Sequence, residues 1–298
     1  MLRKAIAAAA ALALSAWAAA PALAATTAVE PKDVHWSYEG PFGTFDQAQL
    51  QRGYKVYHEV CSACHSMSLL AYRNLAQPYA PFWNPKYPNS NKSPYAKAIA
   101  SEIQVADLDD AGDPTQRPAT PADHFRAPFP NEAAARNSNG GALPPDLSVI
   151  TKAREGGARY IYSILTGYKD APAAMTVPPG KYYNPYMPGD MTSYWHGDKA
   201  AVPEGGFISM PFQLTANRVS YDDGTKATTE QEARDVVAFL AWAADIHQTE
   251  RKKMGFAVLI YLLIFAGVVY ASYRSVWRRV DHGSERNLDP DSPPSTHA

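Results

Sequence analysis

The chain has 298 residues, 46% of them apolar and 19% charged, with a formal net charge of −1. That slightly acidic balance argues against nucleic acid as a partner, and an inventory of two cysteines excludes a small fold stapled by several disulfides.

The first residues, MLRKAIAAAAALALSAWAAAPALAA, place Arg3 and Lys4 before an uncharged Ala-rich run that ends in Ala22-Leu23-Ala24. This is the anatomy of a secretory signal with an A-x-A cleavage site, so residues 1–24 are predicted to be removed and the body exported. Loss of Arg3 and Lys4 takes the formal charge from −1 to −3.

The next element is a predicted helix over 44–60, TFDQAQLQRGYKVYHEV, with Thr44 as N-cap, Gln47 completing a capping box, and Leu50, Tyr54 and Tyr57 at helical spacing. It runs directly into VCSACHS, which holds both cysteines. A Cys-x-x-Cys pair serves a redox dithiol, half of a zinc site, or thioether attachment of a haem. No preceding strand and no second ligand pair is visible, which disfavours the first two. Cys61, Cys64 and His65 spell C-x-x-C-H, the c-type haem signature: positions i, i+3 and i+4 share a helical face, so both sulfurs reach the vinyl groups while the imidazole faces the iron. One motif allows one covalent haem c.

Prolines recur from Pro78 to Pro130 and from Pro172 to Pro211, breaking long regular structure. Within the first of these stretches, SEIQVADLDDAGD concentrates Glu102, Asp107, Asp109, Asp110 and Asp113. The cluster reads either as a solvated loop or as a patch that steers a basic partner. Further helices are predicted after ALPPD, stalling at Gly156-Gly157, and over ARYIYSILTG, with Tyr160, Ile161, Ile164 and Leu165 on one face and Gly167 as the stop. The last is TTEQEARDVVAFLAWAAD, with Thr229 and Glu232 as a capping box and Val236, Phe239, Leu240 and Trp242 as its apolar face; it is expected to continue into the membrane helix.

That membrane helix is MGFAVLIYLLIFAGVVYASY, residues 254–273, uncharged and long enough to cross a bilayer. Arg251, Lys252 and Lys253 precede it, and Arg274, Arg278 and Arg279 follow. Basic residues on both sides leave orientation to the signal, which puts residues 25–250 outside, the anchor at 251–273 and the tail at 274–298 inside. The fold class is mainly α: an N-terminal helix ending in C-x-x-C-H, crossed at Gly53 by a C-terminal aromatic-bearing helix, is the arrangement of class I c-type cytochromes, here with long Pro-rich loops and one transmembrane helix.

A haem iron needs a second axial ligand or stays open for chemistry. The candidates are Met175, Met187, Met191 and Met210, with Met67 too close to His65 to reach the other face. Met187 and Met210 both precede proline, which biases them to extended backbone, and spacing does not separate them. His35, His58, His124, His196 and His247 read as loop or surface residues.

VCSACHSM, NSNGGALPPDLSVITKAREGG, LTGYKDAP, YYNPYMPG, ISMP, YDDGTKATTEQEARDVVAFLAWAAD and HQTERKKMG, in that order, resemble the cytochrome c1 family, the haem-bearing subunits of cytochrome bc1 complexes. The short Ala-rich signal resembles bacterial members, which implies an inner-membrane, single-pass protein with a periplasmic haem domain. The resemblance implies Met210 as the distal ligand, Met187 as a structural loop residue, Arg154 against the haem propionates, and Tyr160 and Asn139 in the haem pocket. Some bacterial relatives carry an extra disulfide in this domain, and no cysteine is left for one here. The implied role is electron transfer from the Rieske iron–sulfur protein to a cytochrome c acceptor, within a dimeric complex that includes cytochrome b. The chain is then a redox subunit and not an enzyme alone. A membrane-anchored carrier outside a bc1 complex and a haem enzyme with an open iron site are the other classes the motif admits.

Overall fold

Asp46, rather than Thr44, starts the first helix, because its carboxylate accepts the backbone N–H of Gln49 at 2.7 Å and a carboxylate is the stronger N-cap. Gln47 is released from the expected capping box and donates instead to the carbonyls of Pro81 and Trp83. The computed structural model describes residues 28–286; the expected signal segment 1–24 and the tail beyond 286 lie outside the described residues. The described chain is mainly α, with six α-helices and two antiparallel strand pairs.

These elements are α1 (Gln47–Val56), α2 (Pro94–Ser101), β1 (Gln104–Leu108), β2 (Pro114–Pro118), α3 (Glu132–Ser138), α4 (Gly157–Thr166), β3 (Tyr182–Asn184), β4 (Gly206–Ile208), α5 (Thr229–Ala244) and α6 (Gln248–Arg286). They fall into two compact units. One comprises the chain up to Val34 with Arg52–Leu69 and Phe125–Ala241; the other comprises His35–Gln51, Leu70–His124 and the chain from Trp242 onward.

In the first unit α1 meets α5 at Gly53. A Cβ there would collide with the carbonyl oxygen of Asp235 and lie 2.7 Å from the Phe239 Cβ, so only glycine allows this approach. Tyr54 and Tyr57 pack on the Phe239 ring at 5.7 and 5.8 Å between centroids. Arg52 bridges the buried Asp235 and the more open Asp223. The α5 cap lies one residue before the expected box: Thr228 Oγ1 accepts the N–H of Gln231, while Glu232, fully buried, accepts the N–H of Val219.

ALPPD starts no helix. Asp146 accepts the N–H of Ser148, an Asx turn, and also the hydroxyls of Ser66 and Ser68 and the N–H of Ser68. Partners about eighty residues away thus take the carboxylate that would have capped a helix. α4 forms where expected, but its buried side chains are Tyr162, Ser163 and Ile164, while Tyr160, Ile161 and Leu165 are half-exposed. Asn184, fully buried, ties β3 to α4 by donating to the Ile164 carbonyl. β3 pairs with β4, and beside them Met175, Tyr183 and Met191 form a satellite core with Trp195, Val202 and Phe207 packed against it.

In the second unit β1 and β2 form a hairpin whose turn is held by Asp109, accepting the N–H groups of Ala111 and Asp113. Arg117 on β2 pairs with Asp107 and Asp123. Two of the five acidic residues are therefore committed to building the hairpin. α6 does not continue α5: a turn at Asp245, Ile246 and His247 separates them, with Arg251 reaching back to Asp245 at 2.7 Å. The segment Gln248–Arg278 is long and apolar enough to cross a membrane, and its residues from Lys253 onward are exposed.

Candidate haem site

All seven predicted site residues lie in the first unit. Beyond α1 the chain widens into one π-helical turn, Tyr57–Cys61, closed by the Ser62 N–H donating to the Tyr57 carbonyl at 2.8 Å. Cys61 ends this turn and its carbonyl accepts the N–H of both Cys64 and His65, at 3.1 and 2.9 Å. The two thiols and the imidazole are thus held on consecutive turns of backbone at a helix C-terminus.

That placement bears on which chemistry the pair can do. A reactive dithiol needs a depressed thiol pKa, which helix N-termini and nearby cations supply. Here burial, and then Cys64, push the Cys61 thiol up to about 12. Among the described residues no three His, Cys, Asp or Glu side chains converge as a zinc site's ligands would.

His65 Nδ1 lies 2.8 Å from the carbonyl oxygen of Pro145. A carbonyl only accepts, so Nδ1 carries the proton and Nε2 keeps its lone pair for a metal. Burial lowers the imidazole pKa, against the bond to Pro145 and the charge of Asp146, which favours the neutral ring. Pro145 is placed by a zipper between two distant segments: Leu147 N–H donates to the Ser66 carbonyl, Leu69 N–H to Ser148 Oγ, and Asp146 gathers Ser66 and Ser68. Burial acts against the Asp146 carboxylate, but the hydrogen bonds from Ser148 and Ser68 outweigh it and hold the pKa well below the usual range. The sequence reading missed this support, whose signal was the PPD tripeptide taken as a helix start.

The methionines separate by environment. Met175 and Met191 are buried in the satellite core. Met187 receives the Tyr160 hydroxyl on its sulfur at 3.8 Å. Met210 lies two residues beyond β4 and is half-buried; its carbonyl accepts from Tyr168, and the adjacent Ser209 hydroxyl from Lys181. Tyr168 and Lys181 were not foreseen.

Arg154 is exposed, donates to the carbonyl of Ala153, and has no carboxylate partner among the described residues. Its charge acts on Tyr160, opposing the rise that burial imposes on that phenol. Asn139 caps α3 and donates its amide to Ala135, so no hydrogen bond joins it to the other six. The donor set fits a haem bound through thioethers: two sulfurs of correct spacing, an imidazole with Nε2 presented, an unpaired guanidinium for a propionate, and a separate thioether.

The sequence model described as the Cytochrome C1 family matches residues 36–280. The chain is 42% identical over 268 residues to a protein of Bradyrhizobium diazoefficiens named "Cytochrome b/c1", covering 83% of this chain and 36% of that one. It therefore spans about a third of that relative's length. It is 42% identical over 247 residues to "Cytochrome c1 1, heme protein, mitochondrial" of Arabidopsis thaliana, with 83% and 71% coverage. It is 43% identical over 241 residues to "Cytochrome b-c1 complex catalytic subunit, mitochondrial" of Candida albicans, with 80% and 74% coverage. A family match that begins at Trp36, takes in the thiol pair, its imidazole and ISMP, and extends into α6 places the chain in the cytochrome c1 family.

Proposed function

We propose that this chain is the electron-transfer subunit of a cytochrome bc1 complex, carrying one covalent haem c and passing electrons from the Rieske iron–sulfur protein to a cytochrome c acceptor. The observation that carries the reading is His65, fixed by the Pro145 carbonyl with Nε2 free, one residue after a correctly spaced thiol pair. When bound, the haem supplies a one-electron couple, and a thioether axial ligand raises its potential relative to two imidazoles.

The residues have these roles in the proposal. Cys61 and Cys64 would hold the porphyrin covalently, and His65 and Met210 would supply the imidazole and the thioether that bind its iron. Arg154 neutralises a propionate, with Tyr160 and Asn139 lining the pocket. Cytochrome b and the Rieske protein are the partners in a dimeric complex. The chain is a redox subunit, not an enzyme alone.

Residues 1–24 are a signal peptide, 25–250 the periplasmic haem domain, 251–273 the single anchor in a bacterial inner membrane, and 274–298 a cytoplasmic tail. The apolar stretch within Gln248–Arg278 supports the single anchor. Purification in mild detergent tests the proposal. Haem that resists acid–acetone extraction, with cytochrome b and a Rieske protein co-purifying, is expected. Extractable haem, or a chain that purifies free of both partners, overturns it.

A further inference from the structure

The loop 37–43, SYEGPFG, is bound to the start of α6, and Phe42 at its tip is 76% exposed. Lys252 Nζ donates to the carbonyls of Tyr38 and Gly43, at 2.6 and 3.1 Å, so one ammonium closes both ends of the loop. Lys252 and Phe256 are four residues apart and share a helix face. The Phe256 ring accordingly meets the Phe42 ring edge to face, centroids 5.7 Å apart. The loop's one acidic side chain, Glu39, is turned back, accepting the Trp36 N–H and facing His35.

Phe256 lies two residues inside the uncharged run that begins at Met254, about 3 Å along the helix axis. Phe42 is therefore held at the level where the apolar span begins. Beside it, Lys253 Nζ sits 4.3 Å over the Tyr79 ring and donates to its hydroxyl. Tyr79 is 38% exposed and held at φ 64°, a conformation rare for a residue other than glycine. Rings interleaved with lysines at the start of an apolar helix are the composition of a membrane-interface belt.

We infer that loop 37–43 is an interfacial foot: Phe42 enters the headgroup and upper acyl region of the bilayer, with Tyr79 and Lys253 at the same level. This rests on the reading of α6 as a transmembrane helix. Lipid is the occupant because the Phe42–Phe256 ring pair sits where Lys252 and Lys253 give way to an uncharged run, the sequence of charge and apolar surface that headgroups and acyl chains match.

The test uses the full haem-loaded chain in native membranes. Both native cysteines are tied to haem, so Phe42→Cys, Phe256→Cys and Leu108→Cys each offer one thiol to a charged, impermeant maleimide. Leu108, 64% exposed on the β1–β2 hairpin, is the aqueous reference. Phe42→Cys and Phe256→Cys are expected to react at least about tenfold more slowly than Leu108→Cys, because the thiolate needs water. In the wild type, a lipid-phase carbene precursor is expected to label the peptide that contains Phe42. A Phe42→Cys rate equal to that of Leu108→Cys, with Phe256→Cys shielded, overturns the foot and leaves the span. Fast reaction at both overturns the span and the foot with it. Slow reaction at Phe42→Cys without carbene labelling of the wild type overturns lipid in favour of a protein contact.

Discussion

The hydroxyl of Tyr168 donates to the carbonyl oxygen of Met210 at 2.8 Å, reaching across forty-two residues to the backbone of the proposed distal ligand. With the Lys181–Ser209 bond and the β3–β4 pair, it fixes where the Met210 side chain starts. Tyr168→Phe is expected to lower stability by about 1 kcal/mol. In the haem-loaded chain it is also expected to raise the fraction of reduced protein that binds carbon monoxide. Thermal unfolding and carbon monoxide difference spectra check the two effects, and a variant that stays inert to the gas argues against a positioning role.

Met210→Leu is expected to keep haem attached, lower its reduction potential and admit exogenous imidazole. Met187→Leu removes only the sulfur that receives the Tyr160 hydroxyl and is expected to leave the potential in place. Potentiometric titration of the two variants separates them. A normal potential for Met210→Leu would falsify the ligand assignment.

Gly53→Ala sets two opposing effects against each other. Alanine favours helix over glycine by about 1 kcal/mol. Its Cβ would strike the Asp235 carbonyl and the Phe239 Cβ, neither of which is a flexible chain end, and such overpacking costs about 3 kcal/mol. Net destabilisation is expected, seen as a lower denaturation midpoint in urea, and an unchanged midpoint would mean that α1 and α5 do not cross so closely.

The backbone bond from Thr225, then Arg52, hold the Asp223 carboxylate at about 2, below its ordinary 3.8. A lowered folded-state pKa adds stability that is present above pH 3.8 and lost as pH falls towards 2. Asp223→Asn is therefore expected to flatten the dependence of stability on pH across that window. Denaturation midpoints measured at successive pH values give the slope, and an equal slope in both proteins contradicts the assignment.

What the sequence made legible was chemistry fixed by short spacing. Cys61, Cys64 and His65 spell the haem-attachment signature within five residues, and the apolar run at 254–273 is read from composition alone. Gly53 was also legible, because a glycine inside a periodic helix pattern needs a packing reason. Helix starts slipped by one or two residues, since Asp46 and Thr228 compete with the neighbouring threonines for the same N–H groups. The segment after ALPPD was misread because Asp146 takes partners from Ser66 and Ser68, and no local pattern reports a bond across eighty residues. For the same reason the three-residue strands β3 and β4 were invisible. The choice between Met187 and Met210 came from resemblance, and the burial of Met175 and Met191 in a satellite core came from the fold.

The π-helical turn at Tyr57–Cys61 holds one residue more than an α-helical turn would need. Excising a single residue there would let the segment relax to ordinary winding, four residues then sweeping about the angle that five sweep now. The sulfurs and the ring of His65 would keep their bearing relative to α5, whereas the same one-codon loss inside α1 after Gly53, where there is no slack residue, would turn them by about 100° and blind the proposed haem site.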